Sequence, residues 1–215
     1  MSGTADPSRA ERMLDAAVAG ILPPGIRVAC RAIRQGDRAL LMPDEATSIS
    51  SRKGSMRDAS GAARQVAHGL LAEMGLSGVP VVRAASGAPV WPADVVGSLA
   101  HDDEFAIAAV AAAASISGLG IDIEPAKPLP AEVANIVKID GDVLDGVDET
   151  VATRLLFAAK EAVYKAVFPR DQVILGFEDV VVDLSAGQGR TNTGRSVQLV
   201  WCLSPRIVVV AFERA

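Results

Sequence analysis

Two acidic residues, Asp122 and Glu124, alternate with isoleucines in residues 120–124 (GIDIE). Because side chains along a strand alternate between its faces, Ile121 and Ile123 share one face and the two carboxylates share the other. Neighbouring carboxylates repel each other unless a positive charge lies between them. A hard cation such as Mg²⁺ takes oxygen ligands and is usually completed by phosphate groups and water. The pair therefore suggests a divalent-metal site for a phosphate compound, although a lone pattern of this kind is more commonly a solvated strand face.

A second set of reactive side chains lies in residues 155–169 (LLFAAKEAVYKAVFP). The segment lacks glycine, is rich in helix-forming residues and predicts a helix that ends at Pro169. Glu161 and Lys165 are four residues apart and share a face of that helix, which Lys160 borders. Taken alone, the helix is an ordinary surface helix with one Glu–Lys pair. Its position 37 residues after the acidic strand favours a functional interpretation of both.

The composition of the whole chain limits the classes of function. Half of its 215 residues are hydrophobic, and the formal net charge is −5, which argues against a nucleic-acid partner. Cys30 and Cys202 lie in apolar runs, which indicates reduced thiols and a cytoplasmic location. The longest mainly apolar run, residues 105–114, is too short to cross a bilayer, and the acidic beginning of the chain does not resemble a signal peptide, so no membrane partner is expected.

The elements that must position these residues are expected to be a mixture of helices and strands. Residues 45–75 predict mainly helix, and within them His68 has no motif around it and is interpreted as an ordinary helix residue. Residues 131–153 are ambiguous, and residues 185–195 predict a loop. Besides the acidic strand, alternation and apolar runs predict strands at residues 26–33, 79–83, 105–113, 177–184, 197–202 and 207–212.

Three motifs together resemble the 4′-phosphopantetheinyl transferases of the surfactin-synthetase and enterobactin-synthase component D type. GIDIE followed by FAAKEAVYK (residues 157–165) is similar to the family patterns G-I-D-[IV]-E and F-S-x-K-E-A-x-Y-K. VWPADVVGSLAH (residues 90–101) is similar to W-P-x-G-x-x-G-S-x-[TS]-H. The match is specific because long motifs occur in the family's order at a compatible distance, and it covers roughly residues 40–183. Ala100 and Ala158 depart from hydroxyl residues of the family patterns.

The resemblance implies an α+β fold with two pseudo-symmetric halves, each made of helices packed on a small antiparallel sheet. The first half comprises residues 1–115 and holds coenzyme A contacts; the second comprises residues 116–215 and holds the metal site and catalytic helix. The implied reaction transfers the 4′-phosphopantetheine arm of coenzyme A to a serine of an apo acyl or peptidyl carrier protein and releases adenosine 3′,5′-bisphosphate. Mg²⁺ is the implied cofactor, with Mn²⁺ as a second candidate, and the type usually works as a monomer.

The resemblance also assigns roles within the second half. It places the metal ion on Asp122, Glu124 and Glu161, and makes Glu161 the general base for the serine hydroxyl. Because one carboxylate does not easily serve as both tight ligand and base, its duty is left open here. Lys165 is expected to contact a phosphate, and Lys160 to steady the leaving bisphosphate.

In the first half, the resemblance implies a basic coenzyme A site. Positive charge is concentrated at Arg52, Lys53, Arg57 and Arg64. Arg64 matches the arginine of the family's G-R-x-x-A-R pattern and is expected to bind the 3′-phosphate. Arg57 lies one residue from a further family position. Arg83 and His101 match basic residues that contact the phosphates of coenzyme A, although three acids follow His101.

Two other functions are compatible with the same residues. A metal-dependent pyrophosphate hydrolase would use the carboxylates to release phosphopantetheine into water. A non-catalytic homologue would bind carrier proteins without reacting. The pathway served is not specified by the sequence: secondary metabolites such as siderophores and peptide antibiotics, polyketides and fatty acids all depend on carrier proteins.

Overall fold

A computed structural model describes residues 7–51 and 53–215, so Arg52 of the basic segment lies outside the described residues. Five α-helices are present in this part of the chain, together with short 3₁₀ helices at Asp37–Leu40 and Phe177–Asp179. The α-helices are α1 (Pro7–Ala19), α2 (Pro43–Ser48), α3 (Gly54–Glu73), α4 (Ala131–Val137) and α5 (Glu149–Asp171). Within the described ranges, every helix is too short or too polar to pass through a bilayer.

Eight strands form two antiparallel sheets. The strands are β1 (Ile26–Ala32), β2 (Val95–His101), β3 (Phe105–Ala112), β4 (Ile116–Pro125), β5 (Val180–Asp183), β6 (Gln188–Thr191), β7 (Ser196–Cys202) and β8 (Arg206–Arg214). The first sheet has the order β1–β3–β2, and the second has the order β4–β8–β7–β6–β5. Helix α3 packs on the first sheet and helix α5 on the second. The predicted α+β class with helices on two small antiparallel sheets is confirmed.

A common apolar core joins the two sheets. It contains Ile107 of β3 together with Ile121 of β4 and Val210 of β8, and it is closed on one side by Leu14 of α1. The hydroxyl of Ser98 accepts a hydrogen bond from the backbone N–H of Ile121 at 3.1 Å, so strand β2 is also tied to the acidic strand directly. This core contains residues from both sides of residue 115, so the predicted division of the chain at that position stays a prediction.

Three local predictions are wrong. Residues 79–83 form no strand and make only an isolated bridge between Arg83 and Pro89, because the N–H groups of Val81 and Arg83 bind side chains of α2. The predicted loop at residues 185–195 contains strand β6. Helix α5 continues past Pro169 to Asp171, since a proline in the last turn removes only one backbone hydrogen bond. The helix ends where Gln172 adopts a left-handed conformation, with φ of 52°.

Candidate active site

The glycine of the GIDIE segment lets helix α5 lie directly against strand β4. A Cβ atom at Gly120 would lie 1.9 Å from the carbonyl oxygen of Ala162, a distance that no side chain can occupy. The apolar side of α5, including Val163 and Val167, is buried against the second sheet. Because the two backbones lie so close, Asp122 of β4 and Lys165 of α5 come into contact.

Asp122 and Lys165 form the central contact of the site. Lys165 Nζ donates to Asp122 Oδ1 at 2.6 Å and to the carbonyl oxygen of Ile121 at 3.2 Å. The other carboxylate oxygen, Oδ2, is buried and accepts no hydrogen bond from the residues that the structure describes. Burial raises the pKa of Asp122, and the neighbouring charge of Lys165 offsets this only in part. The site thus contains a desolvated carboxylate oxygen that lacks a partner.

Glu124 lies beyond Asp122 on the same strand and is paired with an arginine. Its Oε2 accepts from Arg154 Nη1 at 2.7 Å, and Arg154 also donates to the carbonyl oxygens of Lys127 and Pro128. Burial and then the charge of Asp122 raise the pKa of Glu124, against the effect of Arg154. The repulsion expected between the two carboxylates of this strand is therefore present.

Glu161 lies one helical turn before Lys165. Burial and the negative charge of Asp122 raise its pKa, whereas Lys165 lowers it. A carboxylate with a raised pKa accepts a proton more readily at neutral pH than an ordinary one does, which suits a general base. Asp122 thus acts electrostatically on both Glu124 and Glu161, the other two carboxylates predicted for the site.

The fit of this region to a metal ion rests on the unpartnered oxygen of Asp122 and on the carboxylates of Glu124 and Glu161, to which Asp122 is electrostatically coupled. Mg²⁺ and Mn²⁺ prefer such donors. Within residues 7–51 and 53–215, however, no three acidic, histidine or cysteine side chains are already arranged as a ligand set. Lys165 and Arg154 occupy part of the carboxylate surface instead. Carboxylate donors fit a divalent cation. For such an ion to bind, the ion pairs of Lys165 with Asp122 and of Arg154 with Glu124 would have to change.

A cavity of about 290 Å³ lies beside Lys165 and reaches toward the first half of the chain. Its lining includes Arg83, Ser98, Tyr164 and Phe168. A second cavity of about 240 Å³ shares Tyr164 with the first and is lined by Lys160, Glu161, Ile174 and Phe177. Helix α5 thus borders two cavities, one that contains Lys165 and the exposed Arg83 and one that contains Glu161.

Arg64 and Arg83 are close neighbours near the first of these cavities. Arg64 is 5 % exposed, and its Nε donates to the carbonyl oxygen of Val81 at 2.8 Å. Burial lowers the pKa of Arg64, and the charge of Arg83 contributes to the lowering, which shows that the two guanidinium groups lie in mutual range. Arg83 is exposed, with its Nε directed to the carbonyl oxygen of Gly87. Two such cations form a suitable surface for a dianionic phosphate.

His101 lies at the end of β2, and its charge acts on Asp122 to lower the pKa of that carboxyl. Its side chain lines a different cavity, of about 440 Å³, together with Arg34 and Arg38. The acids that follow His101 are neutralised in part, because Arg206 lies 2.9 Å from Asp102 and also pairs with Glu104. His101 is therefore within electrostatic range of Asp122 and lines a different cavity from Arg83.

Two residues expected to contact coenzyme A are directed elsewhere in the structure. Arg57 donates to the carbonyl oxygens of Ile49 and Ala46 at the end of α2. Lys160 is 1 % exposed, and its Nζ contacts Asp142 Oδ2 at 2.8 Å and donates to the carbonyl oxygen of Phe177 at 3.0 Å. Its ammonium group is thus buried and already paired, although Lys160 lines the cavity beside Glu161, and its expected role toward the leaving bisphosphate stays a prediction. Arg57 likewise contacts backbone in place of a ligand cavity.

Sequence reasoning missed several residues of the site. Arg154 lies seven residues before Glu161 on the same helix, so helical spacing could have placed it on the same face. No local sequence pattern indicated a role for Arg206, because its partners Asp102 and Glu104 are far away in the chain. His68, interpreted as an ordinary helix residue, contacts the fully buried Glu45.

Comparison with known proteins extends the geometric findings. The family model described as 4′-phosphopantetheinyl transferase N-terminal domain matches residues 44–111. The family model described as 4′-phosphopantetheinyl transferase superfamily matches residues 118–210. The first match includes Arg64, Arg83 and His101, and the second includes Asp122 and the whole of α5.

Three curated relatives are similar over the greater part of the chain. The 4′-phosphopantetheinyl transferase Npt of Nocardia iowensis is 39% identical over 152 residues, which cover 69% of this chain and 67% of the relative. The 4′-phosphopantetheinyl transferase Svp of Streptomyces mobaraensis is 37% identical over 157 residues, with coverage of 69% and 64%. The 4′-phosphopantetheinyl transferase PptT of Mycobacterium tuberculosis is 34% identical over 142 residues, with coverage of 64% and 63%. The matched region thus spans about two thirds of the length of these relatives.

Proposed function

The chain belongs to the 4′-phosphopantetheinyl transferase superfamily, and on this premise we propose that it transfers the 4′-phosphopantetheine arm of coenzyme A to a serine of an apo carrier protein. The single observation that carries the proposal is the desolvated Asp122 carboxylate, which is paired with Lys165 and has a second buried oxygen without a partner among the described residues. Lys165 and Glu161 of the same helix each line one of the two cavities, which suits a substrate with a nucleotide at one end, a pyrophosphate in the middle and a less polar arm at the other end.

The proposed orientation of coenzyme A follows from the character of the cavities. The nucleotide and its 3′-phosphate would lie on the side of Arg83, with Arg64 behind it and Phe168 and Tyr164 as flat surfaces for the base. The pantetheine arm would enter the cavity lined by Ile174 and Phe177, whose walls match its aliphatic groups. The pyrophosphate would then lie near Lys165, which donates a charged hydrogen bond to a phosphate oxygen.

The reaction is the attack of a serine hydroxyl oxygen on the phosphorus atom that carries the pantetheine arm. The bond from this phosphorus to the bridging oxygen breaks, and adenosine 3′,5′-bisphosphate leaves with the bonding electron pair. Glu161 would accept the serine proton, a role that its raised pKa favours and that typically contributes about 10²–10⁴ in rate. Lys165 would compensate the charge on the phosphate oxygens as the leaving group separates.

A divalent cation, Mg²⁺ or Mn²⁺, is proposed on Asp122 with Glu124 and Glu161 as the neighbouring donors. When bound, it would supply Lewis-acid charge compensation for the pyrophosphate. In this proposal Arg154 exchanges its pairing with Glu124 for its backbone acceptors Lys127 and Pro128, which it already contacts. A monomeric state, a cytoplasmic location and the metabolic pathway stay predictions.

The proposal is tested by incubating the protein with coenzyme A, Mg²⁺ and a panel of apo carrier domains and measuring the intact mass of each carrier. Transfer of the arm adds about 340 Da, the mass of the group that leaves the pyrophosphate. A parallel sample with EDTA is expected to show no gain until Mg²⁺ is restored. If free phosphopantetheine appears and no carrier gains mass, the protein is the alternative pyrophosphate hydrolase. If neither forms, the non-catalytic alternative is favoured.

A further inference from the structure

Glu45, on the short helix α2, is the most completely buried carboxylate of the first half of the chain, with 0 % exposure. A carboxylate removed from water is costly unless donors satisfy both of its oxygens. Oε2 of Glu45 accepts from the backbone N–H of Met42 at 2.9 Å. Oε1 accepts from the backbone N–H of Val81 at 2.7 Å and lies 2.7 Å from His68 Nε2. The group is therefore fully paired, and the reaction described above does not use it.

The Glu45–His68 contact fixes the state of both side chains. Because a carboxylate only accepts hydrogen bonds, Nε2 of His68 must carry the hydrogen and donate it. Burial alone would raise the pKa of Glu45, but the hydrogen bonds from His68, Val81 and Met42 hold it below its ordinary value. Glu45 is thus an anion within the fold, and His68 of α3 is one of its three donors.

The segment that Glu45 holds is the one that carries Arg83. Residues 79–83 belong to no named strand, and their pairing with residues 88–90 is limited to an isolated bridge at Arg83 and a hydrogen bond from the N–H of Val90 to the carbonyl oxygen of Val82 at 2.9 Å. Instead, the N–H of Val81 binds Glu45 while its carbonyl oxygen accepts from Arg64 Nε at 2.8 Å. Two residues later, the N–H of Arg83 donates to the hydroxyl of Ser48 at 2.9 Å. Ser48 and Glu45 both belong to α2, so this helix clamps the segment at two points.

We infer that Glu45 and His68 are positioning residues for the 3′-phosphate of coenzyme A, acting through Val81 on the two arginines Arg64 and Arg83. This role presupposes the coenzyme A specificity proposed above. Neither residue of the pair touches the ligand. The pair holds the N–H of Val81. The carbonyl oxygen of the same residue binds the Arg64 guanidinium, and Arg83 follows two residues later, so the position of Val81 affects both arginines.

The inference predicts a selective defect when Glu45 is replaced by glutamine. An amide has one acceptor oxygen in place of two and carries no charge, so an NH₂ group faces either Met42 or the pair of Val81 and His68. In either orientation the Val81 N–H loses its charge-assisted bond, because the oxygen that can still accept from it is neutral. The segment 79–83 then loses part of its clamp, while Asp122, Glu161 and Lys165 lie on other elements and keep their contacts. Affinity for the 3′-phosphate should fall, and the chemical step should not.

The experiment measures kcat and KM of the full-length protein with coenzyme A and with 3′-dephospho-coenzyme A. For Glu45→Gln we expect the KM for coenzyme A to rise at least about fivefold, the loss of one hydrogen bond to a charged group. The KM for the dephospho compound and kcat should stay within about twofold. Arg83→Ala serves as the reference for direct loss of a phosphate contact. Equilibrium binding of adenosine 3′,5′-bisphosphate, compared with adenosine 5′-monophosphate, should show the same selectivity without turnover.

Asp58→Asn is the matched control, because Asp58 is also a buried carboxylate of the first half. It holds Arg38 through three hydrogen bonds and has no contact with residues 79–83, so its replacement should leave both KM values unchanged. Should Glu45→Gln fail to fold by circular dichroism, Ser48→Ala tests the same clamp at the N–H of Arg83. Equal changes for the two substrates, or no change, in the folded variant would overturn the inference. A wild-type protein that transfers nothing would instead reject the proposed function before any variant is compared.

Discussion

Lys165 Nζ lies 2.6 Å from Asp122 Oδ1, and this contact joins the acidic strand to the helix that carries Glu161. The pair is possible because Gly120 lets the helix approach the strand to within backbone contact. On the far side of Asp122, the buried Oδ2 has no hydrogen-bond donor among the described residues. The proposed chemistry depends on this arrangement, in which one carboxylate oxygen is paired with a lysine and the other is open to a cation.

The close contact of strand β4 and helix α5 predicts that Gly120→Ala is disruptive. The added methyl group would meet the carbonyl oxygen of Ala162, and neither backbone can move without breaking the core. We expect a loss of stability of about 1–3 kcal/mol, as for other overpacked sites, and a larger loss of transferase activity. Thermal unfolding and the carrier-mass assay measure the two effects.

Gly69→Ala is the control for this substitution. Gly69 lies within helix α3, and a Cβ there would meet no atom within 4 Å. The change should be neutral or stabilise the protein by about 0.5–1 kcal/mol, with activity preserved. If both glycine variants behaved alike, the close approach at Gly120 would not be what positions the site.

The electrostatic coupling of Asp122 to Glu161 predicts a shift in the titration of Glu161. The charge of Asp122 raises the pKa of Glu161, so Asp122→Asn should lower its titration midpoint in metal-free protein. Lys165 acts in the opposite direction, and Lys165→Met should raise the midpoint. Carboxyl ¹³C chemical shifts of labelled glutamate follow the titration directly.

Glu124→Gln is the matched control for that titration, since Glu124 is not among the groups that shift the pKa of Glu161. In the Glu124→Gln protein, the titration midpoint of Glu161 should stay near that of the wild type. A midpoint of Glu161 that is insensitive to Asp122→Asn would show that the two carboxylates do not share one electrostatic site.

The buried pair of Lys160 and Asp142 predicts a structural effect in place of a catalytic one. Asp142→Ala leaves the Lys160 ammonium buried with only the carbonyl oxygen of Phe177, and we expect a loss of about 3 kcal/mol in the free energy of unfolding. Asp142 also accepts hydrogen bonds from the N–H groups of Ile139 and Val182, which both variants lose. The double variant Asp142→Ala with Lys160→Met should therefore recover only the part of the loss that is due to the unpaired ammonium group. Denaturant unfolding measures each step, and a double variant no more stable than Asp142→Ala would contradict the pairing.

The sequence predicted the parts of the site that depend on local pattern. Alternation placed Asp122 and Glu124 on one face of a strand, and helical spacing placed Glu161 and Lys165 on one face of a helix. Long-range side-chain pairing was not predictable in this way. Arg154 binds a carboxylate 30 residues earlier, and the Glu45 carboxylate binds an N–H 36 residues later. Neither contact leaves a periodic signal in the chain.

Distant polar side chains also shape two local features. Lys160 was expected at the ligand because it borders the face of Glu161, and in the structure its ammonium group is buried beside Asp142. Residues 79–83 alternate like a strand, yet they make only one bridge to Pro89, and the N–H groups of Val81 and Arg83 bind Glu45 and Ser48. Neither Asp142 nor the two α2 residues lie close in the chain to the groups that they bind.

The most direct test of the proposed site compares wild-type protein with Asp122→Asn on one apo carrier domain that the wild type modifies. Asparagine has nearly the size of aspartate, and matching circular dichroism would show that the fold is kept. With coenzyme A and Mg²⁺ present, we predict that the rate of the mass gain of about 340 Da falls at least about 10³-fold, because the carboxylate that holds the cation and Lys165 is lost. An unchanged rate of transfer by folded Asp122→Asn would contradict the account.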